Sequence, residues 1–159
     1  GDVNIHQKPS STELAKIAIG VAQSAKKLGF IPKVAILSYS NFGNPSGSNT
    51  KTINECLKIL EDKKVSFEFD GEMTAEVALD YNLIKENYPF CKLSGPANVL
   101  IMPDLYSANI SFKLLQKMEN LSVIGPIMIG GNNPFQIVQM GASVSDIVNS
   151  ACISTYNSL

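Results

Sequence analysis

Between Thr12 and Leu28 apolar residues recur at steps of three and four: Leu14, Ile17, Ala18, Val21, Ala22 and Ala25. That spacing lays them on one helical face, with Ser11 or Thr12 as the cap ahead of Glu13 and Gly29 as the stop. The pattern then changes to a short run of strand formers, Val34 to Ser40, followed by a loop marked by Gly43, Pro45 and Gly47. Asn49 or Thr50 can cap a second helix whose buried stripe is Ile53, Cys56, Leu57 and Leu60. Val65 to Asp70 alternates with period two, as a half-buried strand does, before a Gly71-Glu72-Met73 turn and a short helical stretch from Thr74 to Tyr81. Asn98 to Met102 is a continuous apolar strand stopped by Pro103. Ala108 to Met118 is helical, with Ile110, Phe112, Leu114, Leu115 and Met118 apolar. Ile124 to Ile129 makes a fourth strand-like run. After Gly130-Gly131-Asn132-Asn133-Pro134, a helix from Ser143 to about Tyr156 closes the chain.

Strands alternating with helices predict an α/β fold, an open sheet flanked by helices, with ligands received at the carboxyl ends of the strands. Those ends are polar and glycine-rich here. With no internal repeat, low-complexity tract or domain-sized linker, residues 1–159 read as a single domain.

Composition narrows the function classes. A chain of 159 residues buries roughly 70% of its unfolded surface, enough for a core without staples. The net charge of −1 and the lack of a sustained lysine run argue against a nucleic-acid or anionic-membrane partner; the pairs Lys26-Lys27 and Lys63-Lys64 read as solvated helix ends. Cys56, Cys91 and Cys152 are odd in number and widely spaced, which fits reduced structural thiols and a cytoplasmic location. The first residues carry no export signal, and no stretch has the 18 or so apolar residues of a membrane span. All 13 Lys+Arg residues are lysine, so a phosphate site here lacks the planar bidentate fork of arginine.

No nucleophile-and-base constellation stands on its own. His6, the sole histidine, lies in a polar N-terminal segment. No Cys/His cluster has metal-ligand spacing, and Asp70 and Glu72 at the end of their strand read as turn organisers or as binders of a positive partner. The glycine loops invite a phosphate-binding reading. Yet Asn41 to Ser48 lacks the Lys-Ser/Thr pair of a P-loop, and Gly130-Gly131 is followed by Asn-Asn-Pro rather than a dinucleotide fingerprint.

Taken together, however, the strings LSYSNFG (Leu37 to Gly43), FDGEM (Phe69 to Met73), ANVLIMPDL (Ala97 to Leu105), SANISFKLLQ (Ser107 to Gln116), IGPIMIG (Ile124 to Gly130) and MGASVSDIVN (Met140 to Asn149) occur in an order that resembles the phosphate acetyl/butyryltransferases. SYSNFG, DGEM and SANI look most like the version fused to the C-terminus of bacterial NADP-dependent malic enzymes. The resemblance implies an isocitrate/isopropylmalate dehydrogenase-like (phosphotransacetylase-like) fold, with two α/β domains facing a cleft where an acyl group passes between CoA and phosphate. It also implies that this chain is the C-terminal half of such a module, within a longer chain whose absent region holds NADP and a divalent metal. Active members of the family carry a Ser-Arg-Gly-x-x-x-x-Asp motif, in which Ser and Arg steady the phosphate and Asp prepares the thiol. Aligned on Gly141, this chain reads Gln139-Met140-Gly141-Ala142-Ser143-Val144-Ser145-Asp146.

The resemblance thus retains Asp146 while replacing Ser by Gln139 and Arg by Met140. A thioether cannot supply the positive charge, and loss of a preorganised cationic donor costs powers of ten in phosphoryl transfer. It implies acetyl-CoA or CoA as ligand, with Gln139, Met140, Gly141 and Asp146 as cleft residues; from its place at a strand end, the loop with Ser40 and Asn41 is expected opposite them. Asp146 serves equally well as a carboxylate favoured by the helix dipole. Three functions follow: a regulatory domain that senses acetyl-CoA, a working phosphate acetyltransferase, and an oligomerisation domain. A homo-oligomer is expected, with Ile147, Val148, Ala151, Cys152 and Tyr156 of the last helix buried on the core or on another copy.

Overall fold

The computed structural model describes residues 1–45, 50–119, 121–131, 133 and 135–158. Within them the chain groups into two compact units, Gly1–Ala108 and Asn109–Leu159. The first holds a three-stranded parallel sheet in the order β2-β1-β3.

Helix α1 spans Ser11–Lys27. It starts one residue earlier than the pattern suggests because Ser10, not Ser11 or Thr12, is the cap. The Ser10 side chain accepts from Glu13 N–H, and Glu13 Oε2 accepts from Ser10 N–H at 2.8 Å, a reciprocal capping box. Leu28 and Gly29 end it, Gly29 turning back at φ +89 to donate to Lys26 O. β1 (Lys33–Leu37) follows, shorter than the expected run to Ser40. α2 covers Thr50–Asp62, and the alternative cap Asn49 lies outside the described residues.

The central strand of the sheet, β1, sends alternate side chains to opposite faces. Val34 and Ile36 join Leu14, Ala18, Ala22, Ile53, Cys56 and Leu60 in a core beneath α1 and α2. Ala35 and Leu37 join Met73, Val77, Ala78, Ile84 and Leu93 on the other side. A parallel sheet covered on both faces explains why β1 reads as an unbroken apolar run. Each large side chain buried this way contributes about 1.5–3 kcal/mol.

β2 is Glu68–Met73, so it begins three residues after the expected Val65, and the Gly71-Glu72-Met73 segment expected as a turn is strand. Pairing with β1 sets its extent: Lys33 faces Glu68 and Ile36 faces Gly71, but Leu37 faces Met73. Glu72 is the extra residue of a bulge. Phe69 packs with the first core and Met73 belongs to the second, although four residues along an unbroken strand would share a face. Gly71 is required there, since a Cβ would sit 2.7 Å from Ile36 O.

Thr74 caps α3 (Ala75–Leu79), and Asp80 caps an unanticipated α4 (Tyr81–Asn87) by accepting from the N–H groups of Asn82 and Leu83. β3 is Val99–Ile101. α5 (Leu105–Lys117) begins three residues before the expected Ala108 because the Asp104 side chain accepts from Ser107 N–H at 2.8 Å.

In the second unit, residues 124–129 are not a strand. Pro126 removes a ladder donor, and the Gln136 side chain takes both backbone groups of Met128: Met128 N–H donates to Oε1 at 2.9 Å and Nε2 donates to the carbonyl at 3.3 Å. A side chain thus satisfies what a neighbouring strand would have paired. α6 spans Val144–Ser158. Within its own unit its apolar face is exposed, with Ile147 and Val148 each at 53% and Tyr156 at 50%.

Candidate functional site

The carboxyl end of β1 leads into a polar loop, 38–44, that is hydrogen-bonded along the end of β2. Backbone bonds stitch it to β2: Ser38 N–H donates to Met73 O at 2.9 Å and Phe42 N–H to Glu72 O at 2.8 Å. Asn41 and Asn44 exchange backbone bonds at 2.9 and 3.0 Å. The Asn41 side-chain carbonyl accepts from Thr74 N–H at 2.8 Å, tying the loop to the start of α3.

Ser40 is wholly buried and donates its hydroxyl proton to Glu72 Oε1. The Ser38 hydroxyl, 3.2 Å from Ser40 Oγ, is left as donor in that pair because a hydroxyl has a single proton. Gly43 N–H reaches the same Glu72 oxygen at 3.3 Å. Glu72 is 1% exposed, and its other oxygen, Oε2, has no hydrogen-bond partner among the described residues. Leaving such an oxygen dry and unpaired costs about 1–3 kcal/mol or more.

Asp70, on the same strand, organises backbone: its two oxygens accept from Gly71 N–H at 2.9 Å and Lys92 N–H at 2.7 Å. The turn-organising reading therefore holds for Asp70, and a loop-organising one for Glu72. An aromatic trio borders the loop, with Phe42 5.1 Å from Tyr88 and 4.9 Å from Phe90, ring centre to ring centre.

The second unit holds the other residues singled out by sequence. Gln139, Met140 and Gly141 form the turn before α6, closed by Ala142 N–H on Gln139 O at 3.1 Å, with Gly141 at φ +85. Lys113 of α5 donates to Gln139 Oε1 at 3.0 Å. Met140 is fully exposed, at 103%. Asp146 lies in the first turn of α6, where Oδ2 accepts from both Ser143 Oγ (2.8 Å) and Ser143 N–H (2.9 Å), and Asp146 N–H donates back to Ser143 Oγ. These Ser143 bonds hold its carboxyl below the usual carboxylate range. Ser143 is thus the N-cap of α6 and Asp146 its reciprocal partner, three residues on, in a capping box.

Burial pushes the Cys56 thiol up to about 12 and the Cys91 thiol up to about 11; all three cysteines are free. Among the described residues no group of three His, Cys, Asp or Glu could hold a metal ion, and no helix is long and apolar enough to cross a membrane. Sequence reasoning placed Ser40 and Asn41 at the strand end but missed the partnership of Ser40 with Glu72. The available signal was the glycine between two carboxylates, which marks a bulge as readily as a turn.

An α/β unit with its polar loop at the carboxyl ends of parallel strands defines a ligand-receiving fold of the doubly covered class. Residues 1–155 match the family model described as phosphate acetyl/butaryl transferase, and the chain belongs to that family. It is 50% identical to the NADP-dependent malic enzyme of Rhizobium meliloti over 98% of this chain and 20% of that protein. It is 39% identical to the phosphate acetyltransferase of Helicobacter pylori over 97% of this chain and 30% of the relative. Among solved structures, the EutD phosphotransacetylase from Staphylococcus aureus superposes with a TM-score of 0.90 at 31% identity, covering 100% of this chain and 49% of the other. A phosphotransacetylase from Streptococcus pyogenes gives 0.92, also at 31% identity, over 99% and 48%. The chain thus spans about a fifth to a third of these curated relatives and about half of the solved proteins.

Proposed function

We propose that this chain is the phosphate acetyltransferase-like module of an NADP-dependent malic enzyme, that its transferase chemistry is lost, and that it binds acetyl-CoA to regulate malate decarboxylation. The observation that carries this reading is the pairing of a retained family fold with Gln139 and Met140 where active members resemble one another in Ser-Arg. Met140 offers a thioether to solvent, and Asp146 is engaged in capping α6. Lys113 beside Gln139 brings a point charge without the bidentate fork that grips a phosphoryl group.

The same reading carries the rest of the assignment. The chain is half of a two-domain, isocitrate/isopropylmalate dehydrogenase-like module in a cytoplasmic protein, and NADP and a divalent metal belong to the region beyond it. Regulation requires that acetyl-CoA bind two states of the assembly unequally. Calorimetry of acetyl-CoA with the parent enzyme, alongside its malate decarboxylation rate, is the test. The expected result is saturable binding and a changed rate; no binding and an indifferent rate would sink the idea. A coupled assay for acetyl-CoA from acetyl phosphate and CoA should give none, and turnover there would restore an active transferase.

The exposed apolar residues of α6 favour a second reading, a homo-oligomerisation domain. Mass measurement of the parent with and without this region separates the two readings, since only the second predicts that its removal halves the assembly while leaving the response to acetyl-CoA absent throughout.

A further inference from the structure

We propose that Glu72 is a positioning residue whose buried carboxyl sets the shape of loop 38–44 and so the affinity of that loop for the CoA ester; the ligand half rests on the reading above. The bulge places it there. Gly71 approaches the β1 backbone where no Cβ fits, and the extra residue that follows lies outside the strand register. Its Oε1 then receives the Ser40 hydroxyl and Gly43 N–H, while its own carbonyl receives Phe42 N–H at 2.8 Å. One residue thus gathers three consecutive parts of the loop.

Nothing else in its surroundings explains a buried acid. Among the described residues it forms no ion pair with a lysine or with His6. Among those residues Oε2 has no donor. A buried carboxyl is tolerated only as far as its hydrogen bonds offset lost hydration, so the carboxyl and the loop stabilise each other's position. Any ligand that takes the loop in this shape is favoured by the same coupling. Oε1 makes the bonds and Oε2 makes none, so an amide in place of the carboxyl can keep the acceptor and the loop.

Hydrogen exchange and acetyl-CoA calorimetry on the parent enzyme test this. Glu72→Ala should speed amide exchange in residues 40–43 about tenfold and weaken acetyl-CoA about tenfold, the effect of losing its two side-chain hydrogen bonds. Glu72→Gln should leave both within about threefold of the unchanged protein. Exchange in α1 reports whether the core has survived. Should Glu72→Ala lose that core, Ser40→Ala takes its place, with faster exchange at Phe42 and Gly43 expected. Unchanged loop exchange overturns the proposal, as does a loosened loop with undiminished affinity, or Glu72→Gln behaving like Glu72→Ala. If the unchanged protein binds no acetyl-CoA, the reading of the preceding section falls, while the exchange comparison still decides whether Glu72 holds the loop.

Discussion

In residues 1–108 apolar side chains close over both faces of a sheet; in residues 109–159 comparable side chains remain in the open. The buried side chains of both cores lie between Leu14 and Ala108. Ile110, Leu114, Phe135, Ile137, Ile147 and Val148, by contrast, are all at least half exposed or close to it. Lower hydrophobicity is not the cause, since residues 109–159 are no poorer in apolar side chains. The difference is that a sheet gives helices two flat surfaces to cover, whereas the described residues of the second unit contain no strand.

The sharpest way to break this comparison is to empty matched positions. Ile36→Ala removes a side chain with 0% exposure and should cost about 2–5 kcal/mol in denaturant unfolding. Ile147→Ala should cost less than about 0.5 kcal/mol in the monomeric chain. A large loss at Ile147 would mean that a second copy covers α6, which sedimentation would show.

Thiol labelling draws the same contrast by rate. With its thiol pushed up to about 12, Cys56 has about a thousandfold less thiolate near neutral pH than an ordinary thiol near 9. Exposed Cys152 should therefore react first with a disulfide reagent, Cys91 much more slowly, and Cys56 only on unfolding. Raised thiols bind their protons more tightly when folded. Their contribution to stability is thus complete below about 9 and declines as pH rises from there toward 12. Early labelling of Cys56 would contradict a closed first unit.

Matched capping boxes offer a finer cut. Ser10→Ala should cost about 1 kcal/mol of the cooperative unfolding transition. Ser143→Ala should lower helix content by circular dichroism with little change in that transition. Equal effects on the transition would show that α6 unfolds together with the first unit.

The smallest effect is on acid. The Asp146 carboxyl is held below its ordinary value by Ser143, so its help to α6 is present above about 3.8 and is lost as pH falls through its folded value. NMR of the Ser143 and Asp146 amides should follow that titration. Amides that stay unshifted at low pH would remove Asp146 from the capping box.

Much of this was legible in the chain. Leu14, Ala18 and Ala22 revealed α1, the run Val34 to Leu37 revealed a doubly covered strand, and the glycine loops pointed to the strand ends. The errors share a cause. The cap at Ser10, the bulge at Glu72 and the glutamine that replaces a strand beside Met128 are all settled by where a hydrogen bond finds its partner. Periodicity carries no information about partners.

By itself, then, the sequence determined which residues of α1, β1 and α2 face a core, that strands alternate with helices in the first unit, and that Gln139 and Met140 stand where the family resemblance implies Ser and Arg. Those properties are local, or are identities of residues at positions. Tertiary structure alone decided that Ser40 is buried against Glu72, that Asp146 pairs with Ser143 at the start of α6, and that Gln136 takes the backbone of Met128. The physical reason is that hydrogen-bond satisfaction and burial belong to pairs of segments, and pairs exist only once the chain has folded.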